Sequence, residues 1–390
     1  MERREEDLVV AGAIPAGERP EISLHLLVKN GESVVGRLLD CVGPYVTEVV
    51  AVCNDCEDGT RAVLLAKSQE HGLRRCELVE VAQKTHPELY VLDVPETYRV
   101  GRSLCGEEIP GPHTGGPLLA DFAAARNLGW DRCVGQWRLF LDADDVVDDP
   151  SCLPGLCRAL SERDVEAIAS LYLVGTASSG GGFRERLCRN LPHIRWEGDA
   201  HEKLVGFAPD KVAYVMGSLV VRDLRDSLGV GTRTPGRNLK VLYHRARALD
   251  WVISPRDMGY LAAEARLVMP RLAARLAEDC AAASRWPAEQ AWALDVRGQV
   301  DEDVGRHDLA AEWYRRSLFF YPTAAAALRL ARVCYLLGRW QEVVAAGERS
   351  RGLANDLQQL DAGEVDADVV ASMVAAAQAR LDLCPSPRRS

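Results

Sequence analysis

Three carboxylates follow the apolar run WRLFL: Asp142, Asp144 and Asp145. Acids two residues apart at the carboxyl end of a buried strand can share a divalent metal or grip a ribose and diphosphate. The plainer reading is a polar strand end that leads into a helix N-terminus, where acids are favoured. A second group lies in RWEGDAHE, where His201 precedes Glu202. Imidazole titrates near neutrality, and an adjacent acid can orient it, so the pair suits a general base. His193, eight residues earlier beside a proline, competes with it, as does His113 in GPHTGG. Each of these histidines could instead be structural, satisfied by backbone. Cys53-Asn-Asp-Cys56 is a CxxC, but no second CxxC or HxxxH completes a zinc site. The other cysteines lie scattered in apolar segments and read as small buried hydrophobes.

The elements that must position these residues follow an alternating rhythm. ISLHLLV (22–28), TEVVAVC (47–53) and CELVEVA (76–82) read as buried strands. ESVVGRLLDCV and RAVLLAKSQEHG read as the helices between them, which predicts a mostly parallel α/β sheet. Ligands on such sheets sit beyond the carboxyl ends of the strands, so the loops after Val28, Cys53 and Leu141 are the ones to watch. Residues 84–117 break the rhythm with a Gly- and Pro-rich stretch, expected to be a partly ordered flap. DFAAARNLGW is expected to be a helix, WRLFLDADD a strand that runs into the acids, and VAYVMGSLVV (212–221) a further strand.

From about residue 233 only helical periodicity remains. Gly305 and Gly338 open two similar segments 33 residues apart, each after an apolar helix, and Pro322 follows the first copy. That period is one short of a tetratricopeptide repeat. The expected organisation is a polar arm (1–21), an α/β catalytic domain (22–232) with the flap inserted, a helical tetratricopeptide-like domain (233–353), and an acidic helix with a polar tail (354–390).

The chain has 390 residues and a net charge of −10, with 47% hydrophobic and 27% charged residues. This composition excludes wholesale disorder. The acidic balance argues against nucleic acid as the main partner. No apolar run approaches the ~18 residues that a membrane span needs, and MERREEDLVV lacks the apolar core of a signal peptide. The expectation is a soluble cytoplasmic protein.

Taken in order, VKNGE (28–32), EDGT (57–60), DFAAARN (121–127), LFLDADD (139–145) and RWEGDAHE (195–202) resemble the markers of family 2 glycosyltransferases. The similarity extends to the subgroup that carries tetratricopeptide-like helices after the catalytic domain. It covers roughly residues 22–205 and, more loosely, 290–350. It implies a GT-A (nucleotide-diphospho-sugar transferase-like) fold, with Asp142 near the nucleotide ribose and Asp144 on a manganese or magnesium ion. Two departures stand out. Cys53 occupies the position of the family's uracil-binding Asp, and a thiol cannot accept two base hydrogen bonds as a carboxylate does. Thr60 and Asp121 are also 61 positions apart, and the flap fills that surplus.

The flap, from THPELYVLDVPETYRVGRSLCGEEIPGPHTGG onward, is similar to the N-acyltransferases of teicoplanin-class glycopeptide antibiotic pathways. That resemblance implies transfer of a fatty acyl chain from coenzyme A to the 2-amino group of a glucosaminyl pseudoaglycone, with no metal or other cofactor required. His201 and Glu202 would then serve the base, and Asp142 and Asp144 would orient the amino sugar. Arg126, Arg186, Arg195, Lys203 and the helix N-terminus after Gly59 would hold the phosphates. Tyr98 and the flap's leucines would line an acyl groove. Cys53, Trp196, His193 and His113 complete the expected substrate contacts, and the acceptor is expected at the seam between the two halves. The first alternative is a metal-dependent family 2 glycosyltransferase that uses a nucleotide-sugar. The second is a non-catalytic protein whose tetratricopeptide-like helices dock a partner.

Overall fold

The computed structural model describes residues 21–91, 118–174, 181–224, 237–353 and 367–383. Tyr98 and His113 lie outside these residues, as does most of the expected flap. The described residues up to 224 belong to one compact unit and those from 237 onward to a second.

The first unit opens with two βα steps and a third strand: β1 (Ile22–Val28), α1 (Glu32–Val42), β2 (Glu48–Asn54), α2 (Thr60–Glu70) and β3 (Arg75–Val81). β2 is buried along its whole length, as suits a strand covered on both faces. Helix α1 buries Val34, Val35, Leu38, Leu39 and Val42, an i, i+3, i+4 stripe turned to the sheet. A two-stranded ribbon, β4 (Tyr90–Val91) with β5 (Leu118–Leu119), brings the two ends of the expected flap side by side. Tyr90 fixes that ribbon to the sheet by donating to Asn54 Oδ1 at 2.7 Å.

Next come α3 (Phe122–Trp130), β6 (Trp137–Phe140), β7 (Asp145–Val147), α4 (Cys152–Ser161), β8 (Ala167–Val174) and β9 (Gly181–Arg189). A short hairpin of β10 (Arg195–Glu197) and β11 (Lys203–Val205) precedes β12 (Val212–Asp223). The main sheet runs β3-β2-β1-β6-β9-β8-β12-β7. β3, β2, β1 and β6 are mutually parallel, so Val28, Cys53 and Phe140 all end at one edge. β9 enters antiparallel between β6 and β8. The strand WRLFLDADD stops earlier than expected: the acids form a turn between β6 and β7, closed by the Asp145 N–H donating to the Asp142 carbonyl.

The second unit is helical throughout its described residues. Its helices are Arg237–Ala248, Pro255–Ala265, Pro270–Ala283, Pro287–Asp303, His307–Phe320, Ala324–Leu336, Trp340–Leu353 and Ala367–Leu383. The two repeat glycines do the same job. Gly305 and Gly338 have φ of 76° and 69°, which glycine alone adopts without strain. In each copy the backbone N–H of the following arginine donates back five residues, Arg306 to Asp301 and Arg339 to Cys334, and so closes a Schellman cap. None of the described helices is long and apolar enough to cross a membrane.

Candidate active site

The five sequence motifs fold into two knots at the carboxyl edge of the parallel strands. In the first, the loop after β1 and the loop after β2 exchange hydrogen bonds. Gly31 N–H donates to Thr60 Oγ1 (2.7 Å) and Glu32 N–H to Asp58 Oδ2 (3.0 Å). In return, Gly59 N–H donates to Glu32 Oε2 (2.9 Å) and Glu57 N–H to Asn30 Oδ1 (2.8 Å). The N-terminus of α2 was expected to receive a phosphate. It already holds the Glu32 carboxylate, which would lie 2.5 Å from any Cβ at residue 59.

The second knot joins α3, the β6–β7 turn and the β10–β11 hairpin. Asp121 caps α3 by accepting from Ala124 N–H at 2.7 Å. Asn127 clamps the hairpin: it donates to the Trp196 carbonyl and accepts from the Trp196 N–H. Arg126 donates from Nη2 to Asp142 Oδ1 at 2.9 Å and from Nε to Glu202 Oε1 at 2.8 Å. Its guanidinium lies over the rings of Trp196 and Phe140, 4.9 and 5.7 Å from their centroids. Burial disfavours its charge, but Glu202 and Asp142 more than offset this and raise its pKa above the ordinary value.

A second buried guanidinium, Arg186 of β9, faces the same acids. Its Nη1 is 3.6 Å from Asp142 Oδ2 and 3.4 Å from Asp145 Oδ2. Phe140 and Tyr172 hold it at 4.4 and 4.3 Å from their ring centroids. Asp145 is fully buried, accepts from the Asp142 N–H and from Tyr172 Oη, and is pushed up to about 7 chiefly by desolvation. Behind the cluster, His25 donates from Nε2 to the Arg126 carbonyl oxygen at 3.0 Å and stacks edge-on to Trp130. Burial, with Arg126 beside it, lowers the His25 pKa to about 3, so the ring stays neutral.

The remaining expectations divide. Glu202 sits at this cluster, and His201 precedes it in the loop of the β10–β11 hairpin with a left-handed φ of 58°. Glu202, expected to orient His201, gives its Oε1 to Arg126. His193 lies after β9, half exposed, with Nε2 3.8 Å from Glu166. Cys53 is a correction: it was expected at the substrate but is fully buried in the core with Cys56. A hydrogen bond with Cys56 and desolvation raise its thiol well above the ordinary range. Trp196 is another correction, because it forms a buried wall behind Arg126 and not a substrate face. Arg195 is exposed and bound to Asp131. Reading from sequence missed Tyr172, His25 and the depth of the two arginines.

The glycosyl transferase family 2 model matches residues 120–219, which include Arg126, Asp142, Asp144, Arg186, His201 and Glu202. The α/β unit has a GT-A-like fold. Among solved structures, the chain is similar to S. aureus TarS 1–349 in complex with UDP-GlcNAc, at 11% identity and a TM-score of 0.41, covering 76% of this chain and 92% of that one. It is also similar to the mannosyltransferase PcManGT from Pyrobaculum calidifontis in complex with GDP-Man and Mn2+, at 16% identity and a TM-score of 0.36, covering 78% and 88%. No curated protein matches the chain.

Proposed function

We propose that the GT-A-like unit is the catalytic unit of a transferase that moves a glycosyl group from a nucleotide-sugar to an acceptor nucleophile. The family 2 match carries this reading, because it spans the whole second knot. In the reaction, an acceptor hydroxyl attacks the anomeric carbon, the bond from that carbon to the diphosphate oxygen breaks, and a base takes the hydroxyl proton. His201 is the base in this reading. Glu202, tied to Arg126, fixes the hairpin loop that presents it. The acids of the β6–β7 turn orient the sugars.

One observation favours a second reading. The position of the family's base-binding carboxylate is Cys53, and no part of Cys53 reaches the surface. The second reading is acyl transfer from acyl-CoA to the 2-amino group of a glucosaminyl glycopeptide pseudoaglycone of the teicoplanin class. There the amine attacks the thioester carbon, the carbon–sulfur bond breaks, His201 takes the amine proton, and coenzyme A leaves. Thermal unfolding with each donor separates the two, since a ligand that binds only the folded state raises the melting temperature. Stabilisation by a UDP- or GDP-sugar and none by long-chain acyl-CoA supports glycosyl transfer; the reverse supports acyl transfer.

A further inference from the structure

Cys53 and Cys56 take no part in either transfer step, and two separate observations bring their sulfurs together. Cys53 is registered on Val28 where β1 and β2 pair, and Cys56 Sγ donates to the carbonyl oxygen of that same Val28 at 3.4 Å. Both side chains belong to the apolar cluster on one face of the sheet, with Ala51, whereas Val50 and Val52 belong to the cluster on the other. Asp55, with a φ of 43°, turns the chain back between the two cysteines. Arg61 holds that turn by donating from Nη1 to the Cys56 carbonyl.

A buried thiol is ordinarily inert, because apolar surroundings disfavour the thiolate that reacts. Eight of the other described cysteines follow this rule and are raised above the ordinary range chiefly by burial. Cys56 departs from it. Its thiol is lowered, because Cys53 donates to its sulfur, and the Asn30 N–H and the Arg61 charge add to this against burial and Asp58. Cys56 is also the member of the pair that a small reagent meets first, at 7% exposure against 0% for Cys53.

We propose that Cys53 and Cys56 form a reactive dithiol that hydrogen peroxide converts to a disulfide, with Cys56 as the attacking sulfur and Cys53 as the resolving one. In the first step the Cys56 thiolate attacks one peroxide oxygen and the O–O bond breaks. The hydroxide that leaves takes up the proton the thiol gave away and becomes water, and Cys56 is a sulfenic acid. In the second step the Cys53 sulfur attacks the Cys56 sulfur, the S–O bond breaks, and the departing hydroxide takes the Cys53 proton. The two cysteines lose two electrons, and one peroxide becomes two waters. The bridge ends the donation of Cys56 to Val28, so oxidation alters the corner where the loops after β1 and β2 meet. This chemistry is independent of which donor the unit takes.

The test exposes the reduced full chain to hydrogen peroxide and then alkylates the remaining thiols. Tryptic fragment 38–61, which holds Cys41, Cys53 and Cys56, is mapped by mass spectrometry. In the wild type that fragment should lose two hydrogens and carry one alkyl group, on Cys41. Cys41 is the more exposed thiol, yet the pair should react about tenfold faster or more. Cys53→Ser, which lacks the resolving sulfur, should accumulate a sulfenic acid on Cys56 that dimedone traps. Cys56→Ser should leave Cys53 unoxidised. If either serine variant does not fold by circular dichroism, the wild-type map decides alone. Oxidation of Cys41 before the pair, or a fragment that keeps three alkylatable thiols, would overturn the proposal. So would a folded Cys53→Ser protein that dimedone does not label at Cys56, or a folded Cys56→Ser protein in which Cys53 oxidises at the wild-type rate.

Discussion

Arg126 Nε donates to Glu202 Oε1 at 2.8 Å, across 76 residues of sequence. This bond ties α3, the helix that contains AAARN, to the hairpin loop that carries His201. The arginine is buried, and Glu202 shares with Asp142 the work of neutralising it.

Glu202→Ala should therefore destabilise the protein by about 3 kcal/mol, the cost of leaving a buried charge half compensated. Glu202→Gln keeps a hydrogen-bond acceptor and should cost clearly less. Urea unfolding of the two variants reads the difference, and equal costs would show that the carboxylate charge is irrelevant.

His201→Ala should lower turnover on the order of 10²–10⁴-fold, the range for loss of a general base, while donor binding changes little. His193 is half exposed and lies near Glu166, so His193→Ala should retain most activity. Steady-state kinetics with donor affinity measured separately checks this. A dead His193→Ala beside a normal His201→Ala would reverse the assignment.

Two buried groups should hide each other in the pH profile of stability. The Asp145 pKa is raised to about 7, so its favourable contribution is full at low pH and is lost as pH rises through 7. The His25 pKa is lowered to about 3, so its contribution is full above its ordinary 6.5 and is lost as pH falls toward 3. From about pH 6 to about pH 4 the two trends oppose one another. Relative to the wild type, the melting temperature of Asp145→Asn should fall more on acidification, and that of His25→Gln should fall less. Parallel profiles for all three proteins would show that neither group titrates as described.

Gly206 has φ of +102°, and a Cβ there would sit 2.0 Å from the His193 carbonyl oxygen. Gly206→Ala should cost roughly 2–4 kcal/mol, from backbone strain and a clash that backbone must absorb. Gly305 also has positive φ but open space around it, so Gly305→Ala should cost only about 1–2 kcal/mol. Thermal or chemical unfolding ranks the pair.

Cys53→Asp restores the carboxylate expected at that position but places it in a site with no exposure. The variant should unfold readily and gain no nucleotide affinity, because burial of an unpaired carboxylate is strongly disfavoured. A folded Cys53→Asp protein that binds UDP tightly would show that the position can reach the ligand.

The parallel half of the sheet was legible because each strand is a local apolar run. Residues 22–28 and 32–42 were read with the boundaries that β1 and α1 have, and β2 differs by one residue at each end. The antiparallel half was harder. β7, β10 and β11 have three residues each, too few for a period to show, and β9 finds its place only by pairing with strands distant in sequence. The candidate site divides in the same way. Asp142, Arg126, His201 and Glu202 stand in recognisable motifs and Arg186 was among the residues expected to hold phosphate, whereas nothing local in the sequence marks the two arginines as buried. Their burial comes from Phe140, Tyr172 and Trp196, which arrive from other elements.

The loops after β1 and β2 each supply both donors and acceptors to the other. Neither can open alone without stranding amides on its neighbour, so the two corners share one opening equilibrium. Their four bonded amides, Gly31, Glu32, Glu57 and Gly59, should exchange with solvent at a common rate. Whatever molecule touches either corner therefore stiffens both, and the two corners behave as a single plate.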